Sequence, residues 1–367
     1  MRRNRPYLFL QAAPGQYINK KRIIEKSGNY IQEWGKRALI SGGIKALKSL
    51  DNRLINSLEE YNICWKKHIF TGECCDNNIL TIREKAINFS ADLIIGVGGG
   101  KSLDTAKAAA EECNIPIITI PTIAATCAAT TAVSIIYNEA GEYIDDFYLK
   151  TNPKLVLVDP QIIADAPLKY LQSGIFDALS KWYEGKAAVK GIERPDIYTL
   201  AAMELAALLN REMEANAGLA LDLTKCNLVG KELIDIIDLN IYLTGMIQSL
   251  GMSTCRGAAA HAIHNGLTLI PESHKLLHGI KVGYGIIVQL YIEDLPQSEI
   301  DTTINFFKEL GLETSFKSLN LPYENDLVDK VSLKAANDPS MKKMPMHVSM
   351  DMVEEAIKKL EKHMAKF

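Results

Sequence analysis

A glycine-rich turn between an apolar run and a helical segment constrains the possible folds of this chain most strongly. Leu93-Ile94-Ile95 is followed by Gly96-Val97-Gly98-Gly99-Gly100-Lys101-Ser102, and residues 103–110 have helical periodicity. Glycines let backbone N–H groups approach a pyrophosphate, and the N-terminus of the next helix adds a favourable dipole. The spacing is neither a P-loop, which needs glycine at Ile95, nor GxGxxG, whose third glycine is replaced by Lys101. A turn that binds no ligand stays open as the alternative.

Short apolar runs alternate with helical stretches over the first 160 residues, which predicts a parallel α/β sheet. The other runs are Ala38–Ile40, Ile115–Ile120 and Leu155–Val158, and we also expect a strand at Tyr7–Leu10. From about Gln161 the periodicity is helical, and an amphipathic helix capped by Ser349 is expected from Asp351 to Ala365. The sequence therefore predicts an α/β domain at residues 1–163 and an α-helical domain at residues 164–367.

The composition is that of a soluble protein with two sizeable cores, since 47% of the 367 residues are hydrophobic and 23% are charged. The net charge of −3 provides no overall basic field for nucleic acid or an anionic membrane. No uninterrupted apolar run approaches the roughly 20 residues of a membrane span. The seven cysteines form no CxxC pair, so we expect reduced thiols in a cytoplasmic protein.

The histidines are concentrated in one segment. Four of the seven fall within residues 261–278, where His261 and His264 are three apart and His274 and His278 are four apart. Either spacing places a pair on one helix face. Imidazole is a common metal ligand, although single histidines in a core are more often structural. The spacing predicts a metal site without selecting its ligands.

Taken together, these segments resemble the iron-containing alcohol dehydrogenase superfamily, in its glycerol dehydrogenase-like branch. The motifs that carry the resemblance are Gly96–Lys107, Pro121–Thr126, Gly174–Glu184, His261–Gly266 and His278–Val282. The resemblance covers essentially the whole chain and implies a dinucleotide-binding α/β domain followed by an all-α domain, the fold of dehydroquinate synthase. It also implies hydride transfer between a nicotinamide cofactor and a small-molecule substrate, in a homo-oligomer.

The resemblance also assigns roles to individual residues. Carried over by position, the catalytic metal ligands are Asp177, His261 and His278, a set that suits Zn²⁺ with Fe²⁺ as the alternative. His264 matches a position on the substrate side of the site. The cofactor contacts implied are Gly98, Gly99, Gly100, Lys101, Ser102, Asp104, Thr122, Thr126, Thr131, Val133 and Tyr137.

One departure from the resemblance concerns the cofactor. NAD-preferring relatives carry an acidic residue after the strand that ends near Ile40, where this chain has Gly43. Two like charges about 4 Å apart cost about 4 kcal/mol at an effective dielectric constant of about 20, or nearly a thousandfold in affinity. Without that carboxylate, and with Lys45 available to pair with a 2′-phosphate, we expect NADPH to be favoured, with NADH as the alternative.

Other departures concern the substrate. Cys127 stands where glycerol dehydrogenases carry an aspartate for substrate hydroxyls, and a thiol is a poor acceptor. Lys181 and Arg256, near the implied ligands, are cations that suit a substrate carboxylate. These residues resemble bacterial hydroxycarboxylate dehydrogenases and predict a small 2-oxoacid or 2-hydroxyacid as substrate. Glycerol or another polyol is the alternative.

Two further functions are weighed against the same residues. A phosphate-bearing substrate, as in relatives of glycerol-1-phosphate dehydrogenase or dehydroquinate synthase, would call for a further basic cluster, and the sequence has none. A non-catalytic nucleotide-binding module is disfavoured because Asp177, His261 and His278 form a complete ligand set.

Overall fold

Residues 11–366 are described by the computed structural model, and the strand expected at Tyr7–Leu10 lies outside them. The chain divides into two compact units. The first contains the described residues up to Pro167 together with Leu223–Ser249, and the second contains Leu168–Asp222 and the described residues from Leu250 onward. The domain division at residues 163 and 164 stays a prediction. Residues 223–249 lie after residue 164 in the chain but pack with the α/β unit.

The first unit is built on a parallel sheet of six strands. A separate antiparallel pair of strands comes between the fifth and the last strand along the chain. The strands are β1 Gln16–Asn19, β2 Arg37–Gly42, β3 Cys64–Ile69, β4 Leu93–Gly98, β5 Ile117–Pro121, β6 Val133–Tyr137, β7 Tyr143–Tyr148 and β8 Leu155–Val158. The order in the parallel sheet is β1-β8-β5-β4-β2-β3, and β6 and β7 form the antiparallel pair. All four apolar runs read from the sequence are strands at inner positions of the sheet. Both faces of these strands are buried, which explains their continuous apolar sequences.

Helices cover this sheet, and residues 223–249 add a bent helical segment to the first unit. The helices of residues 11–167 are α1 Ser27–Ile31, α2 Ile44–Ser49, α3 Arg53–Glu60, α4 Asp76–Phe89, α5 Gly100–Cys113 and α6 Pro160–Ala164. Three short connections in the chain, Ile23–Lys26, Pro271–Lys275 and Met341–Lys343, are 3-10 turns. The remaining helix of the first unit, Lys231–Leu250, consists of α9 Lys231–Asp238, a π-helical turn Leu239–Leu243 and α10 Thr244–Leu250.

The helix Lys231–Leu250 is long and apolar enough to span a membrane by length and composition alone, with a mean hydropathy of 1.2. It is the one such helix among the described residues, and 56% of its apolar stretch is buried inside the protein. Asp238 accepts hydrogen bonds from Tyr17 and Asn19, and Asn240 donates to the carbonyl oxygen of Ala124. These hydrogen bonds to the first unit, together with the buried fraction, are typical of a core helix in a globular protein.

The second unit consists of helices, and no strand occurs among its described residues. Its helices are α7 Lys169–Lys190, α8 Ile197–Lys225, α11 Ala259–Leu267, α12 His278–Ile292, α13 Gln297–Glu309, α14 Asn325–Ala336 and α15 Met350–Met364. The last of these confirms the expected C-terminal helix, because the Ser349 side chain accepts a hydrogen bond from the Met352 N–H. The change from a mixed to a helical sequence near residue 161 is therefore confirmed.

The order of the strands reverses between β2 and β4. The chain places β3 outside β2, and then returns to place β4 and β5 on the other side of β2. Gly42 pairs with Val97 in this register, so Gly43 and Gly98 follow neighbouring carboxyl ends. Open α/β sheets bind their ligands at such a reversal.

A buried ion pair connects α5 to β6. The Lys107 ammonium is fully buried, lies 2.8 Å from an Asp104 carboxylate oxygen and donates to the carbonyl oxygens of Thr131 and Val133. The other Asp104 oxygen accepts a hydrogen bond from the Ile135 N–H. Each buried charge is thus compensated, and the two side chains hold β6 against the helix that begins at the glycine-rich turn.

Replacing Lys107 with methionine would leave the Asp104 carboxylate buried without its cation. We expect K107M to lower the free energy of unfolding by about 3–5 kcal/mol, measured by denaturant titration followed by circular dichroism. K101M on the same helix is the matched control, because the Lys101 side chain is 59% exposed and its pair with Glu73 is worth about 0–1 kcal/mol. Equal losses in the two variants would contradict a stabilising role for Lys107.

Candidate functional site

The glycine-rich turn leaves the start of α5 open to a ligand. Gly98 has a φ of +136°, a backbone angle that residues other than glycine rarely adopt. Helix α5 begins two residues later, at Gly100. Among the described residues no side chain caps this helix, so the N–H groups of its first turn keep hydrogen-bonding capacity. This arrangement fits the pyrophosphate of a dinucleotide.

Some predicted cofactor residues line this turn. The Thr122 N–H donates to the Gly98 carbonyl oxygen at 3.1 Å, which ties the end of β5 to the turn. The Ser102 hydroxyl donates to the Val97 carbonyl oxygen at 2.9 Å, and Lys101 pairs with Glu73. The Thr126 hydroxyl lies beside Gly100, because a Cβ at that glycine would stand 3.3 Å from the hydroxyl oxygen.

Other predicted cofactor residues make structural contacts deeper in the first unit. Asp104 pairs with Lys107, and the carbonyl oxygens of Thr131 and Val133 accept from the same ammonium. The Tyr137 N–H donates to the Cys74 carbonyl oxygen at 2.8 Å. Their assignment as cofactor contacts stays a prediction, to which the structure adds these roles in holding β6.

Gly43 and Lys45 lie at the end of β2. A Cβ at Gly43 would meet one atom within 4 Å, the Phe70 carbonyl oxygen at 4.0 Å, so a side chain would fit there. Lys45 is exposed on the first turn of α2. The absence of a carboxylate at position 43 is therefore not imposed by packing.

The predicted ligands Asp177, His261 and His278 come together within the second unit. The Asp177 Oδ1 atom lies 3.7 Å from His261 Nε2 and 3.5 Å from His278 Nε2, and one ligand atom from each residue lies within 4.8 Å of the others. Two ligands about 2.0–2.2 Å from one tetrahedral zinc ion stand about 3.3–3.6 Å apart. The donor set and its spacing therefore fit a divalent metal ion.

The three ligands meet because α12 packs closely on α7 and α11. A Cβ at Gly279 would stand 1.7 Å from the Ser173 carbonyl oxygen of α7, and one at Gly285 would stand 2.3 Å from the Ala260 carbonyl oxygen of α11. No other residue could occupy either position without moving a helix backbone. His278 at the start of α12 is thereby brought to Asp177 on α7.

Glu184 orients His261 and was not among the residues predicted from sequence. Its side chain is 1% exposed, and its Oε2 atom lies 2.6 Å from His261 Nδ1. Its Oε1 atom accepts hydrogen bonds from the N–H groups of Ala258 and His261. A carboxylate on Nδ1 fixes the proton there and leaves the lone pair of Nε2 for a metal. Glu184 lies two helical turns after Asp177, and this spacing is the signal that could have identified it.

The remaining histidines of the segment differ from one another. His264 Nε2 lies 3.0 Å from His278 Nδ1, so His264 contacts the back of a predicted ligand. His274 is exposed, and its ring bonds the Thr268 carbonyl oxygen at 2.9 Å. The role of His264 toward substrate stays a prediction.

The cations expected to bind substrate have different settings. The Lys181 ammonium, on a side chain 3% exposed, lies 3.6 Å from Asp177 Oδ1 and donates to the Ser180 hydroxyl and the Arg256 carbonyl oxygen. Arg256 is half-buried. Cys127 is a buried thiol in the first unit.

Burial and neighbouring charges shift the pKa values of the predicted ligands. Burial acts to raise the pKa of Asp177, but the Lys181 ammonium and hydrogen bonds from His261 and His278 bring that pKa well below its usual range. Burial lowers the pKa of His278 and keeps the imidazole neutral near neutral pH. Burial also acts to lower the pKa of His261, but Glu184 raises it overall. An ionised Asp177 and a neutral His278 are the forms that bind a metal, whereas the raised pKa of His261 means that this ring must release a proton to bind one.

Known proteins similar to this chain are oxidoreductases, and several of them match it over both units. Residues 14–160 match the family described as iron-containing alcohol dehydrogenase. The chain is 32% identical to glycolaldehyde reductase of Halobacterium salinarum, over 94% of this chain and 95% of that one. It is 34% identical to hydroxycarboxylate dehydrogenase A of Escherichia coli, over 80% and 82% of the two chains. The crystal structure of a probable glycerol dehydrogenase from Sinorhizobium meliloti has a TM-score of 0.87 at 31% identity, over 97% and 98%.

Replacing Glu184 with glutamine keeps the shape of the side chain but removes the charge that holds the Nδ1 proton of His261. We expect E184Q to bind Zn²⁺ about 10- to 100-fold more weakly, measured by competition with a chromophoric chelator. E193Q is the control, because Glu193 is exposed in the loop between α7 and α8. Unchanged zinc affinity in E184Q would refute the orienting role.

Proposed function

The chain belongs to the iron-containing alcohol dehydrogenase family, in its glycerol dehydrogenase branch, and from this we propose that it interconverts small 2-oxoacids and 2-hydroxyacids with NADP(H) preferred over NAD(H). The observation that carries the activity is the cluster of Asp177, His261 and His278 in the second unit. The enzyme is a metal- and nicotinamide-dependent oxidoreductase. The substrate class and the cofactor preference are the proposed parts.

We propose that residues of the second unit bind the metal and residues of the first unit bind the cofactor. Asp177, His261 and His278 would hold the metal, for which we propose Zn²⁺ with Fe²⁺ as the alternative, and Glu184 keeps the proton of His261 on Nδ1. The N–H groups at the start of α5 would hold the pyrophosphate. When bound, the metal would supply Lewis-acid polarisation of a substrate carbonyl group, and the reduced nicotinamide cofactor would supply a hydride.

The 2-oxoacid proposal is supported by position 127. Cys127 is 6% exposed, and because it is a cysteine the position lacks a carboxylate that would repel an anionic substrate. Hydroxycarboxylate dehydrogenase A is among the relatives. Of the two cations predicted to meet the substrate carboxylate, Arg256 suits the role better, because it is half-buried whereas the Lys181 side chain is 3% exposed.

A polyol dehydrogenase is the second candidate, with glycerol or a related polyol as its substrate. Glycolaldehyde reductase and a probable glycerol dehydrogenase stand among the similar proteins, and both act, by name, on small hydroxylated compounds. The burial of Lys181 against Asp177 favours this candidate too, since it removes one of the two expected carboxylate partners.

The setting of the enzyme completes the proposal. None of the seven cysteines, all of which lie in residues 11–366, is in a disulfide bond, which supports a reducing, cytoplasmic location. A net charge of −3 supports a small-molecule substrate without nucleic acid or membrane as a partner. We also propose a homo-oligomer, as the family resemblance implies.

Substrate specificity is tested with a panel of 2-oxoacids against dihydroxyacetone and glycolaldehyde. We expect a 2-oxoacid to have the highest kcat/KM with NADPH, and a chelator to abolish turnover until Zn²⁺ is restored. R256Q should lower kcat/KM for the 2-oxoacid by roughly 10- to 150-fold, because a charge-assisted hydrogen bond is worth about 1.5–3 kcal/mol. The same variant should affect neutral glycolaldehyde less. Turnover of dihydroxyacetone alone would establish the polyol alternative instead.

Cofactor preference is tested at Gly43. We expect G43D to lower the ratio of kcat/KM for NADPH to that for NADH by about tenfold to a thousandfold, because its carboxylate repels a 2′-phosphate. The open space around Gly43 lets this side chain enter without loss of stability. G43N is the matched control, of equal size and without charge. Wild-type preference for NADH, or equal ratios in G43D and G43N, would show that position 43 does not set the preference.

A further inference from the structure

A chain of polar side chains extends from His278 away from the metal ligands. His278 Nδ1 lies 3.0 Å from His264 Nε2, and His264 Nδ1 lies 2.9 Å from Asn265 Oδ1. The Asn265 amide nitrogen then donates to Asp338 Oδ2 at 2.8 Å. Hydrogen bonds through His264 and Asn265 therefore connect a predicted ligand to a carboxylate on the segment after α14.

The direction of every hydrogen bond in this chain follows from the Asp338 carboxylate, which only accepts. Asn265 must present its NH₂ group to Asp338, so its carbonyl oxygen faces His264. His264 must then donate from Nδ1, and a neutral ring leaves Nε2 as an acceptor. His278 must in turn donate from Nδ1, which leaves the lone pair on Nε2.

That lone pair is the one directed to the metal position, since His278 Nε2 lies 3.5 Å from Asp177 Oδ1. We propose that His264, Asn265 and Asp338 form a relay of positioning residues that selects the metal-binding tautomer of His278. This inference rests on the metal site of the proposed function. His264 then acts through a ligand, whereas the sequence predicted that it acts on the substrate.

The setting of Asp338 supports the relay. Asp338 is 8% exposed, and its second oxygen accepts a hydrogen bond from the Ser340 N–H at 2.9 Å. Both oxygens thus have donors, which fixes the carboxylate in place. A separate carboxylate then orients each of the two predicted histidine ligands. Glu184 contacts His261 directly, and Asp338 acts on His278 through the relay.

The first experiment removes the middle of the relay in the full-length protein. H264F keeps an aromatic ring but removes both nitrogens. H264Q retains an acceptor for His278 Nδ1. H274F is the control, because it makes the same substitution at the exposed His274. Zinc affinity is measured by chelator competition, and the ligand field by the visible spectrum of the Co²⁺ form. We expect zinc binding to weaken about 10- to 100-fold in H264F, with an altered Co²⁺ spectrum. H274F should match the wild type, and H264Q should recover most of the affinity.

The second experiment reverses the direction of the relay. In D338N one of the two oxygens becomes an NH₂ group, which lets the Asn265 amide turn over and both rings exchange their proton positions. His278 would then carry its proton on Nε2, where the metal binds. We expect zinc affinity to fall by about tenfold or more, whereas D326N, an exposed control on α14, should show no change.

The outcomes separate the relay from the metal site itself. If the wild type binds no stoichiometric zinc, or D177N binds it equally well, both the metal site and the relay are refuted. If the wild type binds zinc and D177N does not, but H264F and D338N match their controls, the relay alone is refuted. Equal weakening in H264Q and H264F would also refute it, because ring packing and not the hydrogen bond would then matter. Far-UV circular dichroism reports whether each variant is folded.

Discussion

The close approach of α12 to α7 and α11 is the contact on which the candidate active site depends. Asp177 is distant in the chain from His261 and His278, and each of the three by itself is an ordinary polar residue on a helix. They meet because Gly279 and Gly285 let the backbone of α12 come against the carbonyl oxygens of Ser173 and Ala260. The geometry of the candidate metal site therefore depends on two glycines as much as on the predicted ligands.

This packing carries a cost, because it buries charged groups that water would otherwise solvate. Around the ligands each buried charge has a partner: Lys181 faces Asp177, and Glu184 accepts three hydrogen bonds from His261 and its neighbour Ala258. Such networks are weak sources of net stability compared with apolar packing, but they allow one arrangement of donors and acceptors. In this protein Glu184 fixes the proton of the predicted ligand His261 on Nδ1, which leaves Nε2 for a metal.

The sequence predicted what depends on local pattern and missed what depends on distant packing. The inner strands were predicted because burial on both faces makes them continuously apolar, whereas the edge strand β3 contains exposed Lys66 and Lys67 and gave no such signal. Histidine spacing indicated a metal site but could not choose its ligands, since His264 and His278 belong to different helices that tertiary packing brings together. Family resemblance supplied the choice. Glu184 was missed because its partners Ala258 and His261 are distant from it in the chain, although its spacing from Asp177 was a signal. The substrate role of Lys181 stays a prediction.

Two adjacent glycines show why packing is needed to interpret a residue type. A Cβ at Gly42 would stand 2.8 Å from the Val97 carbonyl oxygen, so the pairing of β2 with β4 requires glycine there. At Gly43 a Cβ would meet open space, and the backbone has ordinary extended angles that any residue adopts. Folding therefore explains the first glycine and leaves the second unexplained. Gly43 lies beside the reversal of strand order, where open α/β sheets bind dinucleotides. Because packing does not require glycine there, ligand selectivity is the simplest physical reason for it.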